Sequence, residues 1–314
     1  MMEYITLKNS DLKVSRICMG GCPMGGYGWG SNVAESELID SVHCALDNGV
    51  NFFDTADTYG LGQSEITLGK ALEGRRDKAV IASKFGVHAM KGTPTFYDNS
   101  PEWIKTSIEG TLKRLGTDYL DLYQIHYRDE KTPLSEVVYT LEKLKKAGYI
   151  RYYGLSNIHQ KDIDEIKEHI GKFVSFQDEY SLACRKNEQD MLRLADELEL
   201  SPLTWGSLGQ GILTGKYDKN TTFSADDRRS RDIYVNFHGE KLLKNLEIVE
   251  VMKQISAQTG KSVASVAIRF ILDYLKDSVV LVGVKRPTQL LSNVEAVGWN
   301  LSEEQIKLLD TISR

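Results

Sequence analysis

Four residues in the first half of the chain have types and spacing suited to proton chemistry: Asp54, Tyr59, Lys84 and His126. Asp54 follows Phe52 and Phe53 in NFFDTADTYG, and Tyr59 stands a polar turn further on. Lys84 closes the run AVIASK, and His126 closes YLDLYQIH. An acid at the end of a buried strand costs free energy unless a cation or a hydrogen-bond donor meets it. A lysine at the end of the next strand is that partner. A tyrosine is a poor acid, with an ordinary pKa near ~10. A nearby lysine cation is expected to bring that of Tyr59 down. His126 can hydrogen-bond a substrate oxygen and orient it. Together the four offer a proton donor and a polar cradle for an oxygen that becomes an alkoxide. Taken singly, the Asp/Lys pair reads as a structural ion pair and the histidine as a satisfied polar residue. The chemical reading rests on all four meeting on one face.

The elements that must bring them together alternate strand and helix. YITLKNSDLKVSR reads as a short hairpin turning near Asn9-Ser10-Asp11. SRICMG is a strand, and the glycine-rich GGCPMGGYGWGS separates it from a helix over Glu35 to Asn48. Further strands are NFFD, AVIAS, YLDLYQIH, IRYYGLS, FVSFQ, PLTW and VVLVG. Helices are expected over Ser64 to Glu73, Pro101 to Leu115, Pro133 to Ala147, Gln160 to Ile170 and Asn187 to Leu198. A polar excursion, Tyr217 to Gly239, precedes helices over Glu240 to Gln258, Ser262 to Leu275, Pro287 to Ala296 and Ser302 to Ile312. Ser100-Pro101 and Gly116 are a cap, a first-turn proline and a stop for one of them. The count predicts an α/β fold, a (β/α)8 TIM barrel with an N-terminal β-hairpin and two extra helices. Residues 1–314 read as one domain. A doubly wound sheet would want G-x-G-x-x-G after the first strand, and Gly20, Gly21, Gly25, Gly26, Gly28 and Gly30 do not give that spacing. In a parallel barrel the C-terminal strand ends share one mouth, which is where the four residues would meet.

Of 314 residues, 41% are apolar and 26% charged, the balance of a globular protein. A net charge of −5 without a Lys/Arg block argues against nucleic acid as a partner. The N-terminus has no apolar signal core, and no apolar run approaches ~20 residues, so a cytoplasmic protein without a membrane span is expected. Cys18 and Cys22 have no matching Cys/His pair downstream. With Cys44 and Cys184 they read as reduced thiols, and no metal is expected.

The order DTADTYG, SK, QIH resembles the aldo-keto reductases, whose tetrad is Asp, Tyr, Lys and His. The resemblance runs from Tyr4 to the closing helix. DNSPEW, KRLGTDYLDL and FHGEKLLKN are similar to the bacterial branch that includes the inositol-locus reductases, with potassium-channel β-subunits as more distant cousins. It implies NADP(H) as cofactor and a small carbonyl or alcohol as substrate, with Tyr59, Asp54, Lys84 and His126 catalytic. Ser156, Asn157 and Gln177 are similar to the family's nicotinamide-amide contacts. TWGSLGQGILTGKY is similar to its stacking aromatic and pyrophosphate loop, which assigns Trp205, Ser207, Leu208, Gln210, Gly211 and Lys216. GVKRPTQLLSN is similar to its adenosine-phosphate segment, which assigns Gly283, Lys285, Arg286, Gln289 and Asn293.

These roles have physical sense. A flat aromatic can cover a nicotinamide face, although Trp205 also reads as a core tryptophan. Glycines let backbone approach a pyrophosphate. Two cations ahead of Pro287, at a helix start, make a phosphate site. The chain departs from the family at Gly206-Ser207-Leu208, where Ser-Pro-Leu is usual, and at Ser292-Asn293, where Glu-Asn is expected. A substrate pocket is expected from Met24, Tyr27, Trp29, Phe85 and the polar excursion. The alternative to a reductase is a nucleotide-binding, redox-sensing regulatory subunit with slow turnover. A metal-dependent hydrolase built on Asp54 and His126 lacks further ligands.

Overall fold

The computed structural model describes residues 1–26, 28–30, 32–158 and 162–314. It opens with an antiparallel hairpin, β1 (Tyr4–Thr6) and β2 (Lys13–Ser15). There follow β3 (Ile17–Gly20), α1 (Glu35–Asp47), β4 (Phe52–Asp54), α2 (Gln63–Ala71) and β5 (Val80–Phe85). A side hairpin, β6 (Val87–His88) with β7 (Phe96–Tyr97), precedes α3 (Pro101–Leu115). Next come β8 (Leu120–Ile125), α4 (Leu134–Lys146), β9 (Ile150–Ser156), α5 (Ile163–Lys167), β10 (Ser175–Glu179), α6 (Glu188–Glu197) and β11 (Ser201–Trp205). After the excursion stand α7 (Gly239–Thr259), α8 (Val263–Tyr274), β12 (Val279–Gly283), α9 (Pro287–Val294) and α10 (Glu303–Ser313).

Strands β3, β4, β5, β8, β9, β10, β11 and β12 close in that order into a parallel barrel. This is the expected (β/α)8 architecture, with α7 and α10 as the extra helices. The signals read from sequence operate locally: Ser100 Oγ accepts from Trp103 N at 3.3 Å, Pro101 starts α3, and Gly116 ends it at φ 64°. One element was not expected from the sequence and one expectation needs correction. The hairpin β6–β7 has only two residues per strand, too few for a periodic signal, and is held by rings: His88 stacks on Phe96 at 4.2 Å and on Trp103 at 3.5 Å. The helix expected over Gln160 to Ile170 is the shorter α5, and positions 159–161 lie outside the described residues.

Alternation along each strand sorts the barrel into layers. Cys18, Phe52, Ala82, Leu122 and Leu203 point inward and form an apolar floor, which Leu7, Leu12 and Val14 of the first hairpin cover from below. Two residues further along their strands, Asp54, Lys84 and Gln124 also point inward and form a buried polar layer above it. The intervening residues, such as Phe53, Ile81 and Tyr123, pack outward under the helices. Among the described residues no helix is long and apolar enough to cross a membrane.

The loop after β4 carries Tyr59 and is pinned in two ways. Gly60, at φ 64°, lies so close to Gly25 that an added Cβ would come within 2.2 Å of Gly25 O. Below it, Glu65 on α2 accepts from Ser83 Oγ and from Arg114 Nε, each at 2.6 Å. Asp57 sits beside this carboxylate; its Oδ2 accepts from Ser107 Oγ at 3.1 Å, and its buried Oδ1 has no hydrogen-bond partner among the described residues. Burial, reinforced by Glu65, pushes the Asp57 carboxyl up to about 7.

Gly60→Ala combines a left-handed backbone, costing ~1–2 kcal/mol, with a backbone collision. It should lower the thermal midpoint and displace Tyr59; a variant as stable as wild type would show that the Gly25–Gly60 contact is slack. For Asp57, an unfolded chain ionises near 3.8 while the native state keeps the proton up to about 7. Stability therefore falls as pH rises through that window and stays low above it. Asp57→Asn should raise stability at pH 8, on the order of 2–4 kcal/mol, and change little at pH 4. Denaturant titrations at the two pH values check this, and an equal effect at both would refute it.

Candidate active site

The polar layer closes on itself. Lys84 Nζ donates to Asp54 Oδ1 at 2.6 Å and to Thr55 O at 3.0 Å. The other oxygen, Asp54 Oδ2, accepts from Gln124 Nε2 at 3.1 Å and from Gln177 Nε2 at 2.9 Å. Both charged groups are buried. The pair expected from two strand ends therefore exists, and Gln177, expected to face a nicotinamide, spends its amide nitrogen on Asp54. Lys84 stands one residue inside the end of β5, and His126 one residue beyond the end of β8, where its N–H extends the ladder to Phe85 O at 2.9 Å.

Tyr59 and His126 lie above this layer. Lys84 Nζ is 5.2 Å from the Tyr59 ring centre, and the two rings meet edge to face at 6.1 Å. Burial and the adjacent Lys84 cation hold the His126 imidazole well below its ordinary value, so it is neutral at pH 7. Its Nδ1 is buried and has no hydrogen-bond partner among the described residues. The expectation that Lys84 lowers the Tyr59 phenol is corrected. Burial, followed by the Asp54 carboxylate, pushes that phenol well above its ordinary value. Lys84 is already in contact with Asp54, so its charge is spent on that carboxylate and does not lower the phenol.

A cleft of about 1270 Å³ opens above these two rings. Asn157, at φ 52°, knits its rim: Nδ2 donates to His126 O at 3.0 Å, and Oδ1 accepts from Trp205 Nε1 at 3.2 Å. Ser156 Oγ donates to Gln177 O at 3.0 Å. Ser207 turns its hydroxyl back onto Thr204 O at 2.8 Å, while Leu208 lines the wall. Gln210 donates to Glu179 Oε1 at 3.2 Å and accepts from Asn236 Nδ2. Gly211, at φ 106°, holds a backbone conformation open to glycine. Lys216, Gly283, Lys285, Gln289 and Asn293 complete the far end of the same cleft. Gln289 Oε1 accepts from Lys285 N at 2.8 Å and caps α9.

Arg286 is the exception among the residues assigned to the cofactor. It is not part of the cleft lining, and its Nε pairs with Glu37 on α1 at 3.2 Å. Two pocket residues are also corrected. Met24 turns into the core from a short turn over Cys22–Gly25. Phe85 must face outward because Lys84 faces inward, and it packs on Tyr123 with ring centres 4.7 Å apart. Tyr27 lies outside the described residues. Trp29 does line the cleft. So do Cys22, Tyr127, Glu179 and, from the excursion, Arg228 and Arg229. The charge-dense DDRRSRD was the only local signal for the last two. Among the described residues no group of three or more His, Cys, Asp or Glu side chains is placed to hold a metal.

Residues 16–314 match the aldo/keto reductase family. The chain is 35% identical to aldo-keto reductase YhdN of Bacillus subtilis, over 99% of this chain and 93% of that one. It is 30% identical to the NADH-specific methylglyoxal reductase of Escherichia coli, over 98% and 97% of the two chains. The solved glycerol dehydrogenase AKR11B4 from Gluconobacter oxydans superposes with a TM-score of 0.88 at 34% identity, covering 98% of this chain and 94% of that one. The chain belongs to the aldo/keto reductase family, an eight-stranded barrel whose strand ends carry the buried Asp54–Lys84 pair beneath Tyr59 and His126.

Proposed function

We propose that this chain, acting as one barrel unit, is an NADP(H)-dependent oxidoreductase that interconverts an aldehyde or ketone and an alcohol. The observation that carries this reading is a protonated Tyr59 and a neutral His126 side by side on the cleft floor, above an ion pair closed off from water. A carbonyl oxygen placed between them would meet two hydrogen-bond donors and no competing charge. Tyr59 then gives its proton to that oxygen as negative charge grows on it. His126 orients the oxygen, and Asp54 with Lys84 fixes the floor. The bound nucleotide supplies the hydride from nicotinamide C4 to the carbonyl carbon, and takes it back in the reverse direction.

The cleft fits such a nucleotide. Trp205 offers a half-buried ring at the end of β11, beside Ser156, Asn157 and Gln177. Leu208, Gln210, Gly211 and Lys216 suit the pyrophosphate, with backbone exposed at the glycine. At the far end, burial and then the Arg286 and Arg229 cations pull the Lys285 ammonium below its ordinary value. A cation crowded by cations, next to the start of α9, is a setting that an added phosphate relieves. This supports the phosphorylated nucleotide. The NADH-specific relative makes that choice a matter for direct test.

Tyr59→Phe keeps the ring and removes the proton. Carbonyl reduction should fall by ~10²–10⁴, while NADPH affinity, followed by fluorescence, stays near wild type; undiminished turnover would remove Tyr59 from the role. Lys285→Ala should weaken NADPH binding by up to about tenfold, the weight of one solvent-screened charged contact, and leave NADH nearly untouched. Arg286→Ala, at a residue off the cleft lining and paired with Glu37, should do less. Equal losses for both nucleotides in the Lys285 variant would contradict phosphate recognition there.

A further inference from the structure

Several cations of the cleft lining have no part in the scheme above, and of these Arg228 is the one seated on an aromatic ring of the same lining. Arg228 begins a short turn capped by Asp227, and its N–H donates to Gly28 O at 3.0 Å. Its guanidinium lies over the Trp29 indole at 5.7 Å, and Trp29 meets the edge of Tyr234 at 5.7 Å and 87°. The stem is wedged against Gly28, where a Cβ would come 2.7 Å from Arg228 Cγ. Arg228, Trp29, Tyr234 and Cys22 all line the cleft.

Cys22 places this cluster along the cleft. Its thiol responds to Arg228 and Trp29 and also to Lys84 and Asp54, and the Tyr59 phenol responds in turn to Cys22. Lys285, at the nucleotide end, responds to Arg229, Arg286 and Asp227. The adjacent arginines thus divide the cleft. Arg229 is engaged by Asp227, through Nε at 2.9 Å, and stands toward Lys285. Arg228 stands against Gly28 and over Trp29, beyond the turn Cys22–Gly25 whose Gly25 abuts the Tyr59–Gly60 backbone. A planar guanidinium steadied on an indole loses little freedom when it binds an anion in fork geometry.

We propose that Arg228 recognises an anionic oxygen group, a carboxylate or a phosphate ester, carried by the carbonyl substrate. This rests on the reductase reading and specifies its substrate class. The test compares kcat/KM for 4-carboxybenzaldehyde against benzaldehyde and for glyceraldehyde 3-phosphate against glyceraldehyde. Wild type, Arg228→Leu and Arg228→Lys are assayed with NADPH, whose affinity is titrated separately by fluorescence. Calorimetry of terephthalate with the enzyme–NADP⁺ complex gives a readout independent of turnover. The wild type should favour the anionic member of at least one pair by about tenfold or more, and which pair shows it identifies carboxylate or phosphate. Arg228→Leu should collapse that ratio and weaken terephthalate binding, and Arg228→Lys, which keeps stem and charge, should retain part of both. No anionic preference in the wild type would overturn the proposal. So would an Arg228→Leu variant that loses NADPH affinity with an unchanged ratio, since Arg228 would then serve the nucleotide. If the wild type reduces neutral and anionic carbonyls alike at negligible rates, the reductase reading itself falls, and the substrate class with it.

Discussion

The site depends on keeping one ion pair out of water. Lys84 and Asp54 are both buried, and each would be costly there alone. Contact at 2.6 Å answers part of that cost, and the remaining lone pairs and protons are answered by Gln124, Gln177 and Thr55 O. Those partners come from β4, β5, β8, β10 and the loop after β4, so the pair is satisfied only when most of the barrel is in register. A one-residue slip of any of these strands would turn its polar residue outward and leave a buried charge uncompensated. The buried polar floor and the register of the barrel are the same constraint seen from two sides.

That constraint also decides how the upper groups behave. With its charge met by Asp54, Lys84 does not strip the proton from Tyr59, and burial keeps both Tyr59 and His126 uncharged. A protonated phenol beside a neutral imidazole is a quiet resting surface. In the proposed reaction, proton movement would wait for an oxygen basic enough to take it, which would couple the proton to the arrival of charge on the substrate instead of letting it leave to solvent beforehand.

Much of this was legible in the sequence, and the failures have a common cause. Strand order and alternation were enough to bring Asp54, Lys84, Tyr59 and His126 to one mouth, because a parallel barrel converts order along the chain into adjacency around a ring. Local caps such as Ser100 and Gly116 acted where they stood. Phe85 and Met24 stand in segments that reach the cleft but turn into the core, and strand alternation alone sends Phe85 that way. Arg286 follows Lys285 in the sequence, while Glu37, which claims it, lies on a helix two hundred and more residues earlier. Arg228 could not be placed at all, since its companions Gly28 and Trp29 are equally remote and no local pattern records the meeting. The ionisation of Tyr59 depends on depth and on the net charge beneath it, quantities that a list of neighbours does not contain.

The first hairpin has a consequence for traffic. Leu7, Leu12 and Val14 seal the barrel from below with apolar side chains, and the layer just above them is apolar as well. Hydrogen ions do not hop through hydrocarbon, so the underside of the barrel is shut to them. In the proposed reaction a hydrogen ion spent at the floor is not replaced from below, and the cleft by which ligands come and go is a route that stays open to it. A ligand filling that cleft would then slow the exchange of the floor with bulk pH.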